Sequence, residues 1–477
     1  MAKETAGFTK RRAFLRQAAT IAGGTALLSS SGFVNPFAAI AQNPPAGCPT
    51  PPSGGTPFAP GQDKRPITLR KSINSFSTAE LTQLRNAFAA LRALPANDPR
   101  TWVLQADIHA LYCQQCNNDN TQIHYSWNFF PWHRAYLYYY ERILGSLVSN
   151  LNGFRLPYWD WENIRTLPAA YTTPGNNTNP LWDQKRNSAL AGGGNLPVND
   201  GTQGRLNTLD AITDFATFGG TAGGSGGWEY DPHGIIHNDV GTPSPVYQDM
   251  GDLGYAARDP IFFAHHCNID KLWSRWNAQA SAAMPGAFTN PTTAAFLNTR
   301  WSFYDENKNV VSISSGDVLD HQNNLRYTYQ PYRFQIPPFR LIYECKLLCC
   351  GPGPDPGPFL EVTVQVRESL LAAVRSKSGI ALVLQGVTVP AGVSGNFDIV
   401  AVRADRKMQL GSFGIIHESH MMQKTGAATV ILDATNAVGD LIAEKDPASL
   451  HVVSRQGEKS FTLQAKSAQF RVQAKAQ

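Results

Sequence analysis

The sequence predicts a mainly α domain, built as a helical bundle, followed by an all-β sandwich C-terminal domain. Three observations predict it. Before residue 280, apolar residues recur at three- and four-residue spacing, the period of a helix with one buried face. Beyond residue 359 the period changes to two, the period of a half-buried strand. Between them stands Gly351-Pro352-Gly353-Pro354-Asp355-Pro356-Gly357-Pro358, a composition that neither helix nor sheet accepts. At 477 residues, with 42% hydrophobic residues, the chain is long enough for one large core and a second smaller one. The expected division is 1–41 leader, 42–345 helical domain, 346–358 linker and 359–477 β module.

Each element has its own reason. Leu81, Leu84, Phe88 and Leu91 mark a helix over 77–94. Trp102 to Tyr112 reads as a second. A third is expected from Pro131 to Leu144, with proline at its first position and Gly145 just past its end. Residues 165–228 read as long, glycine-broken loops. Asp259-Pro260 opens a helix that runs to about Asn277, the aspartate as cap and the proline at the first position. In the β module, Val362, Val364 and Val366 alternate with polar residues; 397–402, 429–432 and 461–472 also read as strands.

Charge narrows the partners. The net charge is +5, but residues 1–41 hold Lys3, Lys10, Arg11, Arg12 and Arg16 against Glu4. The rest of the chain is close to neutral, so nothing favours nucleic acid. Lys10-Arg11-Arg12-Ala13-Phe14-Leu15-Arg16, followed by a weakly apolar stretch and Ala39-Ile40-Ala41, is expected to be a twin-arginine signal peptide. It implies a bacterial protein exported to the periplasm or the outside. No other apolar run is long enough for a membrane span. Seven cysteines (48, 113, 116, 267, 345, 349 and 350) leave at least one outside any disulfide.

Seven of the eleven histidines fall in two patches: His109, His124 and His133, then His233, His237, His265 and His266. Neutral imidazole suits zinc, copper, iron and nickel. His233-Gly-Ile-Ile-His237 would place two rings on one helix face. His265 and His266 point about 100° apart on a helix, so one of them is expected to support the site without joining it. Asp270, one turn beyond His266, is expected to steady the helix or a ligand ring. His417-Glu-Ser-His420-Met-Met422 could carry copper, but a surface loop is the simpler expectation.

His124-Tyr-Ser-Trp-Asn-Phe-Phe-Pro-Trp-His133-Arg-Ala-Tyr-Leu-Tyr-Tyr-Tyr-Glu-Arg resembles the first copper motif of the tyrosinases and polyphenol oxidases. Arg258-Asp-Pro-Ile-Phe-Phe-Ala-His-His266-Cys-Asn-Ile-Asp-Lys-Leu-Trp resembles their second, with the plant enzymes closest in style. The resemblance covers roughly residues 65–335. It implies a helical bundle holding two copper ions, one on His109, His124 and His133, the other on His233, His237 and His266. It leaves His265 outside the ligand set and joins Cys113 to His124 by a thioether. Tyr327-Thr-Tyr329 resembles the motif that closes the family's catalytic domain, with Arg65 or Arg70 as its expected partner. The β module resembles the C-terminal domain that covers the active site as an intramolecular inhibitor.

The activity so implied is oxidation of o-diphenols (catechols) to o-quinones by dioxygen, with weaker monophenol hydroxylation. A true tyrosinase is the alternative within the family, and a haemocyanin-like dioxygen carrier the alternative of another class. Glu229 matches the family's water-positioning glutamate and is the expected general base. Gly234 stands where efficient hydroxylases carry Asn, and Leu253 where many plant relatives carry Phe; both are expected to set substrate access. A zinc protease would need Glu inside the His-x-x-x-His motif, and this chain has Gly there.

Overall fold

The computed structural model describes residues 54–113, 123–242, 246–330, 339–345, 360–362, 368–376, 379–390, 392–403, 406–418, 427–437, 448–455 and 463–473. The expected leader, the Gly/Pro linker and the His420-Met-Met segment lie outside them. So do Cys48, Cys116, Cys349 and Cys350.

Helix α1 (Thr78–Arg92) starts because Ser77 and Glu80 cap each other: Ser77 Oγ accepts from the Glu80 N–H at 3.2 Å, and the Glu80 carboxylate accepts from the Ser77 N–H at 2.8 Å. Its Leu84, Ala87, Phe88 and Leu91 are buried, as the spacing predicts. Helices α2 (Trp102–Cys113) and α3 (Phe129–Leu147) are buried almost all round. Helix α3 runs past its expected end, and Gly145 lies inside it. A Cβ there would meet Phe154 Cβ at 3.2 Å and the Asn150 carbonyl at 3.3 Å, so this glycine admits the returning loop and does not stop the helix.

Two segments around His233 depart from expectation. Glu229–Gly234 forms a π-type turn, broken at Asp231 (φ −143°, ψ 116°) and containing Pro232. Helix α4 (Ile235–Val240) begins only after it, so His233 and His237 belong to different elements. Helix α5 (Ile261–Asn277) begins where the Asp259 carboxylate accepts from the Ile261 N–H at 2.9 Å and pairs with Arg186 at 2.6 Å.

Helices α3 and α5 form the centre of the bundle. Phe130 stacks on Trp273, His133 on His266 and Tyr140 on Phe263, at 5.2, 4.2 and 3.6 Å between ring centres. The pairings run in opposite directions along the two helices, so they are antiparallel. Asp270 locks them: it accepts from Arg134 Nε (2.6 Å), Tyr327 Oη (2.6 Å), Tyr329 Oη (2.7 Å) and Arg70 Nη1 (3.3 Å). Burial works to raise its pKa, but Arg134 and Arg70 hold it down at about 2. Arg70, 3.6 Å above the Tyr327 ring, is the partner of the Tyr-x-Tyr motif; Arg65 pairs with Asp63 instead.

The C-terminal strands are β1 (Phe339–Cys345), β2 (Leu360–Val362), β3 (Ile380–Val387), β4 (Gly395–Arg403), β5 (Arg406–Ile415), β6 (Ala428–Asp433), β7 (Ala448–Ser454) and β8 (Ser467–Gln473). They form two antiparallel four-stranded sheets, ordered β5-β4-β7-β2 and β6-β3-β8-β1. Leu382, Leu384, Phe397, Ile399, Phe413, Leu432, Leu450 and Phe470, drawn from both sheets, share one apolar core, as in a sandwich. Strand β1 precedes the Gly/Pro segment yet pairs with β8, so the expected boundary at 345 falls at the end of a strand of the C-terminal sheet.

The run Ile380-Ala381-Leu382-Val383-Leu384 shows no alternation because both its faces are covered. Leu382 and Leu384 enter the sandwich core, while Ala381 and Val383, with Ile431 of β6, join the core of the helical region. Arginines cross this seam in both directions. Arg455 pairs with Asp200 and Asp398, Arg471 with Asp214, and Arg205 with Asp231 and the carbonyls of Ser412 and Ile431. Among the described residues no helix is long and apolar enough to cross a membrane.

Candidate metal centre

The three rings of His109, His124 and His133 come from α2, the loop before α3 and the first turns of α3. Their centres lie 5.3–5.5 Å apart in each pairing, a near-equilateral triangle around one point. His233, His237 and His266 form a second triangle with sides of 4.5, 5.0 and 5.4 Å. The triangles abut, since His133 and His266 stack at 4.2 Å and 5°. All these rings are buried, and each group offers nitrogens within 4.8 Å of one another.

Proton placement gives each ring a direction. His133, His233 and His237 each have Nδ1 within 2.7–2.9 Å of a backbone carbonyl: Phe129, Glu229 and Met250 respectively. A carbonyl only accepts, so Nδ1 carries the proton and Nε2 keeps its lone pair for a metal. The Nε2 atoms of His133 and His233 are buried without a hydrogen-bond partner, which fits atoms that serve as metal ligands. His109 is steadied by a hydrogen bond to the backbone of Leu253. His265 differs. Its Nδ1 accepts from the Trp161 indole N–H at 3.2 Å, and indole is only a donor. The proton of neutral His265 is therefore on Nε2, and the Nδ1 lone pair is taken by Trp161. Its geometry would admit it as a fourth ligand; its tautomer excludes it.

Burial, reinforced by neighbouring imidazoles, pushes these histidines well below their ordinary range; His237 falls to about 4 and His133 to about 3, burial outweighing the carbonyl bond in each. The neutral rings add no charge. This donor set fits copper in either common oxidation state. Phe129 and Phe262 close the sides, 4.6 Å from His233 and 4.2 Å from His266.

Glu229 is fully inside. Its Oε1 accepts from the Tyr125 N–H at 2.7 Å, and its Oε2 has no protein partner. Burial drives its pKa well above the carboxylate range despite that bond. Of its two expected roles Asp270 takes the first: it steadies the helix through Arg134, Arg70 and the two tyrosines. Gly234 is covered by the C-terminal module, where a Cβ would stand 2.4 Å from the Gly414 carbonyl oxygen. Leu253 is 3% exposed, and its N–H donates to the His417 carbonyl at 2.9 Å, so it lies beneath the module and is not an open gate. Cys113 is buried, and its Sγ lies 3.3–3.4 Å from the ring nitrogens of His109. His417 stacks on Tyr247 at 4.3 Å.

Sequence reasoning missed Tyr125, Trp161 and Glu418. Tyr125 stands next to a ligand, but its left-handed backbone (φ 57°) and two carboxylate partners depend on chain segments far away in sequence. Trp161 reads as one more core aromatic until its N–H is seen on His265.

An antiparallel helical core with two abutting trihistidine triangles defines a binuclear metal protein. The common central domain of tyrosinase matches residues 99–209 and 165–279, and the polyphenol oxidase middle domain matches 290–337. The chain belongs to the tyrosinase and polyphenol oxidase family, whose cofactor is a pair of copper ions. It is 35% identical over 300 residues to the latent form of polyphenol oxidase from Prunus armeniaca, covering 56% of this chain and 49% of that protein. It superposes on a latent aurone synthase (polyphenol oxidase) with a TM-score of 0.67 at 28% identity, over 88% of this chain and 93% of that one. Against the polyphenol oxidase of Grenache grape (Vitis vinifera) the TM-score is 0.53 at 30% identity, over 65% and 95%. The aligned region spans about half the length of the curated relatives. Those relatives are named as chloroplastic proteins of plants, which overturns the expectation of twin-arginine export to a periplasm or the outside.

Proposed function

We propose that this chain is a polyphenol oxidase that uses dioxygen to oxidise catechols to o-quinones, with weaker hydroxylation of monophenols. The observation that carries the reading is the pair of buried triangles: Nδ1 of His133, His233 and His237 sits on a carbonyl, Nε2 of His133 and His233 has no partner, and the Nε2 atoms of His237 and His266 converge to 3.2 Å. His109, His124 and His133 would hold one copper, and His233, His237 and His266 the other. Bound there, the pair supplies two-electron redox chemistry and a place for dioxygen.

The chain's own residues do the rest. The phenylalanine walls exclude water and present a flat apolar surface to a phenol ring. Glu229, with Oε2 free, is the group to hold a water and take the phenol proton through it; burial raises its basicity towards that task. A thioether between Cys113 and His124 belongs to the same reading, and would fix a ring that has no hydrogen bond at either nitrogen. The C-terminal module, seated on Gly234 and Leu253, would act as a cover over substrate entry.

The test is oxygen uptake by copper-loaded full-length protein with catechol, tyramine and tyrosine. Catechol should be consumed fastest. Reversible dioxygen binding with no uptake on adding any of the three would mark a carrier instead.

A further inference from the structure

Tyr125 follows the ligand His124 but belongs physically to both regions. Its N–H holds Glu229 Oε1 at 2.7 Å, and its hydroxyl donates to Glu418 Oε1 of the C-terminal module at 2.7 Å. Its ring packs, with that of Tyr230 6.1 Å away, against the apolar cluster of the C-terminal sandwich. It does so at φ 57°, a backbone conformation that is sterically costly for a residue with a Cβ. Such a conformation persists where the surroundings over-determine it. Here they are the carboxylate at the amide, the carboxylate at the hydroxyl and the apolar seat of the ring. The Glu418 segment is itself anchored beside the site, through the His417 carbonyl and the Leu253 N–H at 2.9 Å.

We propose that Tyr125 is a positioning residue that couples docking of the C-terminal module to the orientation of Glu229, so that the module sets the preference between monophenols and catechols as well as access. This rests on the phenol-oxidase reading of the site. When Glu418 holds the hydroxyl, Tyr125 keeps its left-handed backbone and its N–H aims at Glu229. When that hold is lost, the backbone relaxes and Glu229 loses its donor. A monophenol depends on a positioned base for its proton more than an acidic catechol does, so the two substrates respond unequally. Facing the Glu418 carboxyl are the Tyr125 hydroxyl and, at longer range, the carboxyls of Glu229 and Asp252.

Full-length protein carrying Glu418→Ala, Glu418→Gln, Tyr125→Phe or Tyr125→Phe with Glu418→Ala decides it. Glu418→Ala and Tyr125→Phe should lower the tyramine-to-catechol ratio of kcat about fivefold or more. The double variant should add nothing further. Glu418→Gln, which keeps an acceptor for the hydroxyl, should retain the wild-type ratio. A second readout is free of turnover: the infrared carboxyl band of Glu229 in copper-free protein, assigned with Glu229→Gln, should shift in Tyr125→Phe and Glu418→Ala and stay in place in Glu418→Gln. Equal changes for both substrates, or an unmoved Glu229 band, would overturn the coupling. If wild-type protein oxidises neither substrate, the functional reading falls, and the infrared arm still decides whether Tyr125 orients Glu229.

Discussion

The two histidine triangles differ in how they are held. In the second, His233 and His237 each give Nδ1–H to a backbone carbonyl, and Trp161 donates to Nδ1 of the neighbouring His265. In the first, His133 and His109 are held by backbone, but both nitrogens of His124 are without a partner. His266 also lacks a partner at Nδ1, but its Nε2 stands 3.2 Å from His237 Nε2, whereas His124 is held only by the packing of neighbouring rings. The lesson is that ligand count alone does not describe readiness. Hydrogen bonds on the far nitrogen decide tautomer and aim before any metal arrives.

The largest expected effect breaks the comparison at its centre. His266→Ala should lose one of two coppers, counted by elemental analysis, and at least about 10³-fold in catechol oxidation, because a binuclear reaction fails with one metal. His265→Ala should keep both coppers and lose no more than about tenfold. If His265→Ala also loses a copper, the tautomer argument is wrong.

Acid stability should follow the depressed histidines. Their folded-state pKa values lie below the ordinary 6.5, so the unfolded chain binds more protons as pH falls below that value. Copper-free protein should therefore lose stability steadily from about pH 6.5 towards pH 4, visible as a falling Tm. Asp270 acts lower: its contribution is complete above 3.8 and lost as pH falls towards about 2. Copper-loaded protein should resist the upper phase, since metal competes with protons for the rings. Parallel Tm curves with and without copper would contradict this.

Gly234→Asn tests the seam. Its side chain cannot share space with the Gly414 carbonyl, so it should cost about 1–3 kcal/mol, typical of overpacking, by urea unfolding of the full chain. It should also speed limited proteolysis of the C-terminal module. The smallest effect is expected for Cys113→Ser. Copper in the first triangle should leave about tenfold faster to a chelator, while the second is unchanged. In wild-type protein, a peptide pair lighter by two hydrogens in mass spectrometry would establish the link to His124.

Much of this was legible in the chain. Period and a capping serine located α1, and Asp259-Pro260 located the start of α5; α2 and α3 are buried almost all round, so no single face marks them and the ends of α3 fell outside the expected 131–144. The seven histidines were legible as a group, because ligand type and spacing are local properties. What was not legible depended on contact across the seam. Strand β3 hid its register because Ala381 and Val383 are covered by another region. The His233–His237 segment read as a helix, but Pro232 and Asp231 break it into two elements. Gly234 and Leu253 pointed to substrate access; that each meets the backbone of the C-terminal module is a contact across the seam. Asp270 left two roles open, and Arg134 and Arg70 decide for the helix.

Strand β1 carries a last consequence. Because it pairs with β8 while lying ahead of the Gly/Pro segment, a cut anywhere in 346–358 would sever the chain without separating its parts. The nicked fragments would still share a sheet, an apolar seam and the arginine pairs of Arg455 and Arg471. Cleavage and release are then distinct events, and a gel band at the size of the helical domain would be no proof that its cover had left.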